Sequence, residues 1–278
     1  MTSTNKPDFE AKNQEFIDKA ESSDQYYGFD IKALTRFKPF LEFLYADWWK
    51  VNFTGWDKLP KDGPALIVGN QGSVLPWQAL MLSYGLLAHS DLRKRIHIMY
   101  DLDSIQDERL HSFLREIGFV PWSSNAMKRL FSKGEIVAVF PEGLNGLAKP
   151  YSQRYRLQGF DWTRFLPAVE ENVPIFPLTT MGCDEAAPNL FNLSKLATFL
   201  KLPYFPITPF FPWLPMPLSL ATLPGAWQMN VHNQAKYDSK GQSRDVIENT
   251  CKQLSLAFEG EIQAELNRML RGRNKSRN

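Results

Sequence analysis

The chain has 278 residues, 44% of them hydrophobic and 22% charged, so it is long enough to bury a sizeable core as one domain with terminal extensions. Its formal net charge of +2 gives no global attraction to nucleic acid, and we expect no nucleic-acid partner. The two cysteines, Cys183 and Cys251, exclude a disulfide framework and fit a reducing compartment.

The N-terminal part of the sequence predicts a polar tail over residues 1–28, followed by an amphipathic helical segment over residues 29–58. The opening run MTSTNKPDFEAKNQEF lacks the apolar core of a secretory signal, so we expect a cytoplasmic protein. From Ile31 to Phe53, apolar residues recur at helical spacing between basic residues, with Pro39 as an expected interruption. This pattern fits an interfacial helix on a membrane surface, and it equally fits a helix packed on the domain.

Residues 59–240 predict one domain of alternating strands and helices, which is an α/β layout. The expected strands are Ala65–Gly69, Ile96–Tyr100, Ile136–Phe140 and Ile175–Met181, and the expected helices are Trp77–Ala88, Asp107–Ile117 and Lys128–Ser132.

The last segment, residues 241–278, predicts a C-terminal helix from Arg244 to about Leu270 and then a basic tail. The tail RGRNKSRN carries four basic residues and no acidic one. Two interpretations fit it, a solvated tail and a contact with anionic lipid head groups.

The stretch from Leu202 to Ala235 contains no Asp, Glu, Lys or Arg and is interrupted by seven prolines. It therefore predicts loops and short extended pieces and excludes a transmembrane helix. Three interpretations fit its large apolar side chains: packing over the core, lining an acyl-chain groove, or entering a membrane interface. These side chains are Phe205, Phe210, Phe211, Trp213 and Leu214.

Two motifs carry the chemistry, GNQGSVLPWQALML at Gly69–Leu82 and VFPEGLNG at Val139–Gly146. With the later runs KPYSQRYRLQGF, VPIFPLTTMGCDEAAP and the proline-rich stretch, they resemble the lysophospholipid or glycerolipid acyltransferase family, of the 1-acylglycerol-3-phosphate acyltransferase type. The resemblance covers roughly Leu59 to Val231. It implies a glycerol-phosphate acyltransferase-like fold, with a mixed sheet flanked by helices. It also implies a role in phospholipid metabolism, with acyl-CoA or acyl carrier protein as the donor substrate and no other cofactor.

The first motif departs from the family at the two residues that carry the reaction. The resemblance places the family's His at Gln71 and its Asp at Gln78, and in the commoner family spacing the acid position falls on Pro76. A His takes the proton of the acceptor hydroxyl because its pKa lies near neutrality, and a carboxylate behind it fixes the tautomer. An amide has no accessible proton-accepting state, so neither glutamine replaces these groups.

The second motif and the residues after it imply a substrate-binding turn at Pro141, Glu142 and Gly143. Asn145 stands where the family usually has a basic residue for the substrate phosphate, and its neutral side chain removes a bidentate contact. Lys149 and Arg154, with Arg156, follow closely and are candidates for that positive charge.

Ser73, in the first motif, is a further substrate-binding candidate. We interpret it as a turn residue because no activating base accompanies it. The histidines His89, His97, His111 and His232 have no ligand spacing, and we expect no metal site.

Two main hypotheses follow. The first is a catalytically degenerate acyltransferase-fold protein, a pseudoenzyme, that binds lipid or lysolipid, the acyl donor, or a protein partner such as an active acyltransferase. The second is an active lysophospholipid acyltransferase with non-standard catalytic residues. A third interpretation is a membrane-surface structural subunit of a larger assembly. Each hypothesis places the protein in the cytoplasm as a peripheral protein on the inner face of a membrane.

Overall fold

The computed structural model describes residues 31–72, 74–89, 96–100, 114–200, 202, 204–214, 218 and 221–275. Ser73, the predicted polar tail and most of the helix predicted over Asp107–Ile117 lie outside the described residues. The predicted boundaries of the four segments stay a prediction.

The described strands are β1 (Asn52–Thr54), β2 (Ala65–Gly69), β3 (Ile96–Tyr100), β4 (Phe119–Pro121), β5 (Ile136–Val139), β6 (Ile175–Met181), β7 (Phe191–Asn192), β8 (Pro206–Ile207) and β9 (Gln228–Val231). The described helices are α1 (Ile31–Glu42), α2 (Trp77–His89), α3 (Ser124–Ser132), α4 (Gly143–Leu147), α5 (Leu166–Glu170), α6 (Cys183–Ala186), α7 (Ser194–Phe199) and α8 (Arg244–Lys275).

Seven strands form one sheet in the order β1-β9-β6-β2-β5-β3-β4, and β7 pairs with β8 separately. Within the large sheet β6 and β9 are antiparallel, and the other described pairs are parallel. The predicted fold class, an α/β domain with a mixed sheet flanked by helices, is confirmed.

The central strands are buried on both faces, as parallel strands covered by helices must be. Every residue of β2, β5 and β6 is buried. Side chains of β2 alternate between two hydrophobic clusters: Ile67 packs with Met81 of α2, and Leu66 packs with Met127 of α3 and Phe258 of α8. The motifs therefore follow strands that are buried along their whole length.

The N-terminal helix differs from its prediction in two respects. The helix continues through Pro39 to Glu42 and passes into a π-helical turn at Phe43–Trp48, and residues 52–54 form strand β1. Pro39 costs one backbone hydrogen bond, but the buried face around Leu41 and Leu44 packs on the domain and holds the helix together. Phe40 and Phe43 are exposed.

The C-terminal helix is longer than predicted and ends at Lys275. Its last turn is anchored at Arg273, whose guanidinium makes two hydrogen bonds of 2.6 and 2.7 Å to the Glu185 carboxylate, whereas Arg271 and Lys275 are exposed. Among the described residues, no helix is both long enough and apolar enough to cross a bilayer.

Candidate functional site

The motif residues meet at one edge of the sheet, at the carboxyl ends of three neighbouring parallel strands. Asn70 and Gln71 follow β2, Glu142 follows β5, and Asp184 follows β6. Since β2 lies between β5 and β6, these side chains are brought together by the strand order alone. Asn70 ties the loop after β2 to strand β6, because its side chain donates to the Thr180 carbonyl and accepts from the Thr180 N–H.

Gln71 is fixed by both its backbone and its side chain. Its N–H donates to Oε1 of Glu142 at 2.7 Å, and its Nε2 donates weakly to the Gly72 carbonyl at 3.4 Å. Its side chain lies against Gly146, where a Cβ would stand only 2.5 Å from the Gln71 Cβ. A glycine at position 146 is what allows α4 to approach this side chain.

Gln78 lies in the first turn of α2 and is fully buried. Its Oε1 is adjacent to Gly72, 3.1 Å from where a Cβ on that glycine would stand, so the two glutamines flank Gly72. Neither amide atom of Gln78 has a hydrogen-bond partner among the described residues. Burying an amide without hydrogen-bond partners costs free energy. Buried polar side chains with a purely structural role normally have such partners.

Glu142 is the buried acid of the site. Its two oxygens accept from the N–H groups of Gln71 and Gln158, at 2.7 and 2.8 Å. Burial raises the pKa of Glu142 to about 7, although the Lys149 ammonium and the two N–H donors act in the opposite direction. The carboxyl therefore titrates near neutrality while it holds two loops together.

Lys149 forms a buried ion pair with Asp184. Its Nζ lies 3.0 Å from Oδ2 of Asp184 and donates to the Gln71 carbonyl at 3.3 Å. Burial lowers the pKa of the Lys149 ammonium, but the carboxylates of Asp184 and Glu142 raise it by more, so its pKa lies above the ordinary value. The same Oδ2 of Asp184 accepts from the Tyr155 N–H at 2.7 Å. The charge of Lys149 is thus balanced inside the protein.

The remaining predicted site residues are arranged around this network. Pro141 is buried and its carbonyl accepts from the Asp161 N–H, while Gly143 has φ of +53° at the start of α4. Asn145 and Arg154 are exposed, and the Arg154 guanidinium lies 4.6 Å from the centre of the Tyr151 ring. Head-group binding by these residues and by Lys149 stays a prediction.

The histidines His97 and His232 lie close to carboxylates of other parts of the chain. His97 is buried in β3, with Nε2 3.5 Å from Glu135, a residue that precedes β5 and so lies at the opposite end of the strands. His232 follows β9 and contacts Thr179 and Glu261, at 2.8 and 3.1 Å. Burial lowers the pKa of His232, against the effect of Glu261.

The sequence did not single out Asp184 or Cys183 as site residues. Asp184 lies in the run VPIFPLTTMGCDEAAP, where nothing marks it as a site residue. Its role is to pair with Lys149, which is 35 positions away in the sequence. Cys183 is a free thiol against Gly72, and burial, with the nearby Asp184 carboxylate, raises its pKa. A thiol with a raised pKa is a poor nucleophile.

The arrangement as a whole fixes polar groups at the strand ends. Gln71 and Gln78 present neutral amides on either side of Gly72, and the nearby ionisable groups, Glu142, Lys149 and Asp184, are buried and bonded to one another or to the backbone. The site is therefore a buried polar network at the ends of β2, β5 and β6.

Residues 50–181 match the family model described as Acyltransferase. The chain is 38% identical over 212 residues to an uncharacterized protein of Mycobacterium tuberculosis, a match that covers 73% of this chain and 57% of that protein. It is 36% identical over 198 residues to an uncharacterized protein of Mycobacterium leprae, covering 69% of this chain and 52% of that protein. The chain thus spans little more than half the length of these relatives.

The chain is also similar to the crystal structure of the 1-acyl-sn-glycerophosphate (LPA) acyltransferase PlsC from Thermotoga maritima. The TM-score is 0.48 at 17% sequence identity, over 84% of this chain and 79% of that chain. The match to the family model, over residues 50–181, contains both motifs, and this part of the chain is similar to the acyltransferase family.

Proposed function

We propose that this protein is a catalytically degenerate acyltransferase that binds a lipid or lysolipid, or an acyl donor, without transferring the acyl group. The observation that carries the proposal is the pair of neutral amides at Gln71 and Gln78, on either side of Gly72 at the strand ends. Loss of a positioned general base lowers a rate by about 10²–10⁴-fold, so any residual transfer is feeble.

The buried network supports a binding role. Glu142 and Lys149 hold Gln71 in place through its N–H and its carbonyl, so the motif keeps a defined geometry without its base. The amide of Gln78, which has no hydrogen-bond partner within the described part of the chain, offers a donor and an acceptor beside Gly72. A ligand that supplied hydrogen bonds to this amide would recover free energy that the unliganded fold lacks.

The test combines binding with restoration of the missing residues. The natural protein and a Gln71→His/Gln78→Asp variant are assayed for acyl transfer from acyl-CoA and acyl carrier protein donors to a panel of lysolipids, with binding of each lipid measured separately. We expect binding without transfer in the natural protein, and transfer in the variant. The proposal is overturned if the natural protein transfers the acyl group and substitution of Gln71 or Gln78 changes the rate.

A second candidate is an active acyltransferase whose base is Glu142. The observation that favours it is the pKa of this carboxyl, about 7, which suits general-base chemistry at neutral pH. Its two oxygens already accept from backbone N–H groups, which weighs against it. Any transfer by the natural protein that disappears in Glu142→Gln supports this candidate.

The setting that we propose is peripheral, on the cytoplasmic inner face of a membrane, where lysolipid substrates lie. A protein partner such as an active acyltransferase fits the same role, because a binding site without a base can present a lipid to another enzyme. Pull-down of the natural protein with candidate acyltransferases, against a Gln78→Leu control, tests this part.

A further inference from the structure

The described residues between Pro188 and Leu223 form a small unit that carries most of the large exposed apolar side chains in the described part of the chain. It contains β7, α7 and β8, and its own hydrophobic cluster of Ala197, Phe205 and Ile207 holds it together. Nine of the fourteen large apolar side chains exposed in the described part of the chain lie between Leu190 and Leu218. Phe199 and Trp213 are the most exposed, at 82% and 85%.

Single exposed apolar residues are common on protein surfaces, but here many large ones lie within one segment of the chain. The interpretation of the stretch as core packing holds for Phe205, which is buried, and does not hold for Trp213. A contiguous stretch of the chain that leaves Phe199, Leu200, Trp213 and Leu218 in solvent pays a free-energy cost unless something covers them.

The charge of the segment indicates what covers it. Between Glu185 and Asp238 the chain contains no Asp or Glu, and it contains three lysines, Lys195, Lys201 and Lys236. Aromatic and aliphatic side chains with basic residues only are the combination that an anionic bilayer surface attracts, and Trp is enriched at membrane interfaces. A second copy of the same positive surface would be repelled.

The unit is connected directly to the candidate site. The Asn189 side chain donates to the carbonyls of Ala148 and Lys149, at 3.0 and 3.3 Å, and the Asn192 side chain donates to the Ala148 carbonyl at 2.6 Å. The Tyr204 hydroxyl donates to the Val74 carbonyl in the first motif. A bilayer that docks on this unit is therefore connected to the first motif and to the residues directly after the second.

We infer that the segment Leu190–Leu218 docks on an anionic lipid bilayer and inserts Phe199 and Trp213 into its interface. The inference deepens the proposed function. It rests on that function only for the reason why the protein docks, which is to give lipid access to the site. Vesicle binding is measured without acyl transfer, so failure of docking and failure of the proposed function are distinguishable.

The test uses the full chain in co-sedimentation with vesicles of phosphatidylcholine alone and of phosphatidylcholine mixed with phosphatidylglycerol. We expect binding that is stronger on the mixed vesicles and that falls by about 10-fold or more in Phe199→Ser/Trp213→Ser. The matched control is Val246→Ser/Leu256→Ser, which removes two exposed apolar side chains from α8 and should bind like the natural protein.

A second readout follows the inserted side chain itself. Brominated lipid should quench part of the tryptophan emission of the natural protein, and Trp213→Phe should still bind while losing that part. The inference is overturned by absence of vesicle binding, by equal loss in the α8 control, or by unchanged binding in Phe199→Ser/Trp213→Ser. It is also overturned if light scattering without lipid shows a dimer that this variant dissociates.

Discussion

The backbone N–H of Gln71 donates to Oε1 of Glu142 across 2.7 Å, which joins the first motif to the second. Gln71 is therefore positioned by a buried carboxyl. Lys149 completes the link by donating to the Gln71 carbonyl. The geometry around Gln71 is maintained by groups whose burial has an energetic cost.

Glu142 should make stability depend on pH. Its pKa is about 7 in the folded protein against an ordinary 4.5, so its contribution is complete below pH 4.5 and is lost as the pH rises through about 7. Relative to Glu142→Gln, the natural protein should lose about 3 kcal/mol of unfolding free energy across that window. Urea unfolding at closely spaced pH values measures this, and parallel curves for the two proteins would contradict it.

Gln78→Leu should leave the protein as stable as before or stabilise it by about 1 kcal/mol, because it removes a buried amide without partners among the described residues. Gln78→Met is the second variant, since it keeps the length of the side chain. Thermal unfolding measures both. A loss of more than about 2 kcal/mol in both variants would mean that the amide is hydrogen-bonded in the folded protein.

Breaking the buried ion pair should be costly. Lys149→Met and Asp184→Asn should each destabilise the fold by about 3–5 kcal/mol, because each leaves a buried charge uncompensated. The matched control is Arg244→Gln, which breaks the exposed pair with Glu248 and should cost less than about 1 kcal/mol. Chemical denaturation compares the three, and equal effects at both pairs would refute a special role for Lys149.

Gly146→Ala should displace Gln71, since a Cβ at this position would stand 2.5 Å from the Gln71 Cβ. We expect a loss of about 1–3 kcal/mol, relieved in part by Gln71→Gly. Gly260→Ala is the control: nothing lies within 4 Å of its added Cβ in α8, so it should stabilise the helix by about 0.5–1 kcal/mol. Equal unfolding midpoints for the two alanine variants would contradict the close approach.

The sequence predicted the parts of the fold that depend on local pattern. The buried runs of β2 and β6 were predicted at their observed bounds, because an apolar run between turn residues has few other structures available. The short strands β1, β4 and β9 were not predicted, since three or four residues pair only when a neighbouring strand is already in place. The expected interruption at Pro39 was wrong, because packing of Leu41 and Leu44 on the domain outweighs the effect of this proline.

For the site, the sequence predicted which positions matter and not what they contact. The motifs identified Gln71, Gln78 and Glu142. The structure brings Gln71 and Glu142 together at adjacent strand ends and places Gln78 beside Gly72, in the first turn of α2. The pairing of Lys149 with Asp184 joins distant parts of the chain, and no spacing rule predicts it. The exposure of Trp213 likewise depends on how the proline-rich stretch folds on itself.

The most direct test of the central claim is acyl transfer under single-turnover conditions, with the natural protein in excess over a radiolabelled acyl-CoA and a lysolipid acceptor. The account predicts that the donor disappears no faster than in the absence of protein, and that Gln71→Ala gives the same trace. Acylated product that forms faster with the natural protein than with Gln71→Ala would contradict it.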